Sequence, residues 1–168
     1  PNAFLVQMVQ GRPAGAALDV GMGQGRNAIY LAQKGWTVTG FDPAGRAVAL
    51  AQETAKKAGV TITTLTQGDD EFEWGENRWD LIVLSYVAVR PNVERVVRAL
   101  KPGGMVVIEG FHRDATKTRS IGGAVVFDSN ELLRLLAALR VRAYEDVSAR
   151  ADFGSEVTPL VRLCAEKP

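Results

Sequence analysis

Leu18-Asp19-Val20-Gly21-Met22-Gly23-Gln24-Gly25-Arg26-Asn27 runs an apolar segment straight into three alternating glycines and then into an amphipathic stretch. Glycine tolerates positive φ and carries no Cβ, so a turn of this composition lets the main chain approach a ligand closely. A second apolar segment, Trp36 to Phe41, ends at Asp42. A carboxylate at the tip of the neighbouring strand can accept two hydrogen bonds from the vicinal hydroxyls of a ribose. Together the two features describe a nucleoside-containing cofactor held across the carboxyl ends of two parallel strands.

Working outward, strand and helix patterns alternate. Ala17 to Val20 reads as a strand, Arg26 to Lys34 as a helix closed by Gly35, Trp36 to Phe41 as a strand, and Gly45 to Ala58 as an Ala-rich helix closed by Gly59. Val60 to Thr66 is a β-branched run, and Trp79 to Ser85 is so continuously apolar that it predicts a strand covered on both faces. Asn92 to Leu100 predicts a helix with Val93, Val96, Val97 and Leu100 on one face. The turn Lys101-Pro102-Gly103-Gly104 then leads into a strand from Met105 to Glu109. A Leu-rich helix from Asn130 to Leu139 and strands Val141 to Val147 and Pro159 to Ala165 complete the chain. Such alternation implies an α/β fold with a parallel, doubly wound sheet. The final connection, Ser148 to Thr158, is too short for a crossover helix, so the last strand is expected to run antiparallel to its neighbour.

Composition narrows the possibilities. A chain of 168 residues, 46% hydrophobic and 23% charged, is expected to form one domain over 1–168, with some residues missing ahead of Pro1 because no methionine opens it. Its formal charge is +1 and its basic residues are scattered, which argues against a nucleic-acid or membrane-surface partner. Cys164 has no cysteine to pair with, and no apolar stretch approaches the roughly 20 residues that span a bilayer, so a cytoplasmic setting is expected. No metal site is expected, and the sequence leaves the oligomeric state open.

Three readings of the glycine turn compete. In the dinucleotide fingerprint the third glycine falls three places after the second, where this chain has Arg26. A phosphate-binding P-loop closes on Gly-Lys-Ser/Thr, whereas here Gly25-Arg26-Asn27 follows. A purely structural turn would need one or two glycines, and does not explain three preceded by an acid.

These segments resemble the S-adenosylmethionine-dependent methyltransferases of the Rossmann-like class from Ala17 to Lys167, most strongly in Leu18 to Gly25. The resemblance implies a three-layer sheet with strand order 3-2-1-4-5-7-6, mostly parallel with an antiparallel last strand. It implies S-adenosyl-L-methionine as cofactor, S-adenosyl-L-homocysteine as product, and a small-molecule acceptor attacked in line. Asp19, Gly21, Gly23 and Gly25 would hold the methionine portion, Asp42 the ribose, and Asp69, with Asp70 as its alternate, the adenine amino group; Ser85 joins the set at the tip of the fourth strand. Gly25-Arg26-Asn27-Ala28 followed by Tyr30-Leu31-Ala32 is similar to the small-molecule methyltransferases of the tellurite-resistance and thiopurine type. Two alternatives stand beside catalysis: a non-catalytic cofactor-binding or interaction role on the same fold, and a nicotinamide-dependent oxidoreductase, which the glycine spacing disfavours.

Candidates for acid–base work are few. His112, after the fifth strand, reads either as a general base or as an exposed loop histidine, and Tyr86 as a wall of the acceptor pocket or as packing. Arg26 and Asn27 begin the helix beside the cofactor but are read first as loop-bonding residues. Trp74, close after Asp69 and Asp70, is expected to line the adenine pocket, whereas Trp36, Trp79 and Cys164 are expected in the core.

Overall fold

The computed structural model describes all 168 residues. Eight strands form one sheet: β1 (Ala16–Val20), β2 (Thr37–Asp42), β3 (Thr63–Thr66), β4 (Trp79–Ser85), β5 (Leu100–His112), β6 (Val126–Phe127), β7 (Arg140–Arg150) and β8 (Val157–Glu166). Five helices accompany them: α1 (Ala3–Val9), α2 (Arg26–Gln33), α3 (Gly45–Lys57), α4 (Val93–Ala99) and α5 (Glu131–Leu135). The strand order is β3-β2-β1-β4-β5-β8-β7, with β6 paired in parallel to the end of β5. β8 is antiparallel to both β5 and β7. This is the expected arrangement with one short extra strand counted into the numbering.

Two apolar layers explain why the sheet is covered on both faces. Phe4, Leu5, Ala28 and Leu31, from α1 and α2, pack with Ala17, Leu81, Val83, Met105, Val107 and Cys164. Val96 and Ala99 from α4, Leu132 from α5 and Leu136 just after it pack with Leu18, Ile82, Leu84, Val106, Ile108 and Leu163. Successive residues of a strand point to opposite faces, so the uninterrupted apolar run Leu81-Ile82-Val83-Leu84 feeds both layers. The connection from β1 runs towards β2 and that from β4 towards β5, so the order reverses between β1 and β4. A crevice at the carboxyl ends of these two strands follows.

Several boundaries differ from those expected. β5 begins at Leu100, passing through Lys101-Pro102-Gly103-Gly104 with a register shift opposite Trp79 and Leu81, and continues to His112. The helical stretch after Asn130 is shorter than its apolar pattern suggests, because α5 ends at Leu135. α1 was not expected; Asn2 caps it by accepting the Leu5 N–H at 2.9 Å. Trp74 is also a correction. Its side chain is buried against Phe41 and Phe72 and its Nε1–H donates to the Asp69 carbonyl at 2.9 Å, so it supports the acid rather than lining a cavity.

Candidate active site

The glycine turn follows from β1 ending at the switch point. Gly21, Gly23 and Gly25 all have positive φ, +60°, +54° and +78°, which is why alternating glycines occur here. At Gly21 a Cβ would lie 2.5 Å from Cγ1 of Val87, so the position is sterically closed as well. Gly25 opens α2, and a Cβ there would meet Ala51 of α3 at 2.9 Å. Gly25 therefore fixes the turn and the α2–α3 approach without lining the crevice.

Two cavities meet at Gly21. The first, of about 460 Å³, is lined chiefly by polar groups, among them Asp19, Gly23, Gln24, Arg26, Ser85 and Asp152. Asp19 is the most unusual of them. It is 2% exposed, and its Oδ2 is buried without a hydrogen-bond partner. Burial raises its pKa to about 7, against the opposing pull of the Ala28 amide and the Arg26 charge and with a smaller upward push from Asp42. A buried acceptor with no donor is costly, and a cationic ligand in the cavity would satisfy it.

The second cavity, of about 390 Å³, has an apolar floor of Val20, Phe41, Val87 and Ala88, with Asp42, Asp69 and Tyr86 at its margin. Asp42 Oδ2 accepts the Gly23 N–H at 2.9 Å and Oδ1 accepts the Ala44 N–H at 2.8 Å, so the carboxylate also braces the glycine turn. Each oxygen keeps a further lone pair for a ligand hydroxyl. Asp69 Oδ2 accepts from Asn92 Nδ2 at 2.6 Å. Asp70 is exposed and lines neither cavity, so of the two adjacent acids it is Asp69 that the fold presents.

Neither acid–base candidate faces the polar cavity. His112 lines neither cavity: its Nδ1 accepts the Asp114 N–H at 3.1 Å and its Nε2 lies 3.1 Å from Ser129 Oγ. Tyr86 sits at φ +57°, packs against Phe111 and Phe153, and donates its phenol proton to buried Glu109. Burial and the Glu109 charge hold that phenol well above its ordinary pKa, so Tyr86 is unsuited to act as a base.

Residues outside the expected set complete the rim or hold it from behind. Glu109 is buried and also accepts from Asn2 Nδ2 at 2.9 Å and Arg162 Nε at 2.6 Å. Asp152, from the β7–β8 loop, accepts from Asn2 Nδ2 at 3.0 Å, Ser85 Oγ at 3.3 Å and Arg26 Nη2 at 3.4 Å. Arg26 and Asn27 do bond neighbouring segments, as expected, since Asn27 Oδ1 accepts the Asn2 N–H at 2.8 Å; Arg26 also lines the polar cavity. The signal that could have revealed the rim is Asp152-Phe153-Gly154, an acid and an aromatic in a loop at the carboxyl edge of the sheet.

Comparison with known proteins agrees with this geometry. The family model described as a methyltransferase domain matches residues 17–104, which run from β1 through the glycine turn and the whole lining of the second cavity to the start of β5; of the first cavity only Asp152 and Phe153 lie beyond it. The chain belongs to this methyltransferase-domain family. Among its relatives, 2-heptyl-1-hydroxyquinolin-4(1H)-one methyltransferase of Mycobacteroides abscessus is 32% identical over 124 residues, covering 68% of this chain and 55% of the relative. The probable S-adenosyl-L-methionine-dependent methyltransferase TehB of Haemophilus influenzae is 37% identical over 84 residues, covering 50% of this chain and 29% of TehB. The methyltransferase domain described here thus spans about half of the first relative and less than a third of the second. In fold, the crystal structure of Haemophilus influenzae TehB matches with a TM-score of 0.82 at 19% identity, covering 100% of this chain and 63% of that one. A methyltransferase structure from Methanosarcina mazei matches with a TM-score of 0.79 at 19% identity, each chain covered to 99%.

Other features bear on partners. No His, Cys, Asp and Glu side chains gather in a group of three or more that could hold a metal ion. No helix is long and apolar enough to cross a membrane.

Proposed function

We propose that this methyltransferase domain binds S-adenosyl-L-methionine in the two joined cavities and transfers its methyl group to a small-molecule nucleophile. The observation that carries the reading is the unpartnered, buried Oδ2 of Asp19 beside the glycine turn, which calls for a cationic ligand group at that point. The residues present fit the cofactor. Asp19, Gly21, Gly23 and Ser85 would hold the amino-acid end, Asp42 the ribose hydroxyls, and Asp69 the adenine amino group over the apolar floor formed by Val20 and Phe41. When bound, S-adenosyl-L-methionine supplies an activated methyl group on a sulfonium, open to in-line displacement. The protein's part is then to orient the two reactants and exclude water, a contribution that reaches roughly 7–11 kcal/mol in well-oriented intramolecular reactions.

A small-molecule acceptor is supported by relatives whose names specify a hydroxyquinolone acceptor or an O-methyltransferase of ubiquinone biosynthesis. Isothermal titration tests the binding step. S-adenosyl-L-homocysteine should bind in the range of about 1–100 μM, or roughly −8 to −5.5 kcal/mol, while NAD should produce no heat. NAD binding with a silent homocysteine adduct would overturn the reading in favour of a nicotinamide enzyme. Acceptor screening by release of S-adenosyl-L-homocysteine tests the transfer step. Intact binding without turnover across thiol, amine and hydroxyl acceptors would support the non-catalytic alternative.

A further inference from the structure

The rim of the polar cavity carries three groups that the cofactor's recognition does not require. Phe153 lines the cavity yet is 57% exposed, an uncommon position for a large aromatic side chain. The Arg26 guanidinium lies 5.3 Å from its ring centroid, and the Tyr86 ring meets it edge-on at 5.0 Å. Tyr86 thereby fixes the ring in place, while the remainder of the ring faces the opening. Asp152, the preceding residue, has a side chain only 8% exposed and is held by donors from three separate elements of the fold. Two of those bonds, from Ser85 and Arg26, are long, at 3.3 and 3.4 Å, and so leave the carboxylate room to take a better donor.

A flat ring surface, a cation beside it and a confined carboxylate define an acceptor by its chemistry. The ring favours a planar aromatic partner through stacking. Arg26 favours oxygen that develops negative charge and opposes an added ammonium group. Asp152 favours a nucleophile that still carries a proton. We propose, resting on the cofactor reading above, that the acceptor is a hydroxylated aromatic molecule seated on Phe153, with its hydroxyl directed to Asp152 and its developing charge facing Arg26. The oxygen lone pair forms the new C–O bond as the C–S bond of the sulfonium breaks, its electron pair staying on sulfur. The hydroxyl proton passes to the Asp152 carboxylate and from there to water.

The test uses the whole chain saturated with S-adenosyl-L-homocysteine and a fluorescent probe, 2-naphthol, with decahydro-2-naphthol and 2-naphthylmethylamine as competitors. 2-Naphthol should bind about three- to tenfold more tightly than either competitor, in keeping with the stacking contribution of an aromatic pair. Phe153→Ala should abolish that preference and Phe153→Trp should restore it. With S-adenosyl-L-methionine, Asp152→Asn should lower methylation of 2-naphthol by roughly a hundredfold near neutral pH, with the rate recovering as the pH approaches the naphthol's own ionisation. A structural defect would not yield that recovery. Equal binding of all three probes to the unaltered protein overturns the proposal, even when homocysteine-adduct binding is intact. Loss of homocysteine-adduct binding in Phe153→Ala and Asp152→Asn, with naphthol binding unaffected, also overturns it and assigns the rim to the cofactor. Failure of the unaltered protein to bind the homocysteine adduct overturns the cofactor reading itself.

Discussion

At the scale of single residues, Asp19 ties stability to function. Its carboxyl has an ordinary value of 3.8 and a folded value of about 7, so between those values the unfolded chain ionises while the native chain stays protonated. Native stability therefore falls as the pH rises from about 4 to about 7 and levels off above, with a total effect of at most about 4 kcal/mol. Asp19→Asn should raise the melting temperature by several degrees at pH 8 and change it little at pH 4, as scanning calorimetry would show. The same substitution should weaken S-adenosyl-L-homocysteine binding by about tenfold or more, because the amide cannot pair with the ligand's cation. A melting curve with the same pH dependence as the parent would refute the assignment. Asp42 makes a separate case: it braces Gly23 and Ala44 and is proposed to hold the ribose. Asp42→Ala should cost about tenfold or more in homocysteine-adduct affinity by titration, since a hydrogen bond to a charged group is worth about 1.5–3 kcal/mol. Cys164 is inert by contrast, being buried beside Met105, and burial pushes its thiol to about 11.

At the scale of elements, the turn between β1 and α2 is the part of the site with least tolerance. Gly21→Ala would place a Cβ 2.5 Å from Cγ1 of Val87 at a φ of +60°, combining strain with a clash that forces the Val87 side chain to shift. Homocysteine-adduct binding should fall by about tenfold or more in this variant. Gly59→Ala, also at positive φ but facing open space at the end of α3, should cost about 1 kcal/mol of stability and leave binding unchanged; denaturant melts and titration of both variants separate the two effects. This turn was legible in the sequence because its chemistry is local: alternating glycines, an apolar strand before them, an acid closing the next strand. β4 and the antiparallel β8 were legible for similar reasons of apolar continuity and loop length. What escaped depends on contacts distant in sequence. Asn2 joins α1 to Asn27, Glu109 and Asp152, residues up to 150 positions away, and nothing in its immediate neighbours announces those partners. His112 looked well placed by its position after the β5 core, but the strand runs on through it and hands its ring to Asp114 and Ser129. Trp74 misled because proximity in sequence to Asp69 does not fix which way an indole turns.

Across the whole molecule, the two cavities draw their walls from nearly every strand that ends at the switch point, together with α2 and the β7–β8 loop. The polar contacts that hold these walls together share a few buried anchors. Glu109 alone links β5 to Asn2, Tyr86 and Arg162, and the Arg162 guanidinium reaches on to Glu145 of β7 at 2.9 Å. A ligand spanning both cavities would thus contact the ends of β1, β2 and β4, the start of α2 and the β7–β8 loop at once, and it would bind the native state alone. Such a ligand stabilises by RT ln(1 + [L]/Kd), about 2.7 kcal/mol at one hundred times Kd. For a chain of 168 residues that corresponds to a rise in melting temperature of roughly 5–10 °C. Saturating S-adenosyl-L-homocysteine should produce this shift, whereas adenosine, proposed to fill only the second cavity, and methionine, proposed to fill only the first, should each give less at equal concentration. If adenosine alone matches the full adduct, the polar cavity around Asp19 contributes nothing to recognition. The unpartnered carboxylate would then need another explanation than a cationic ligand.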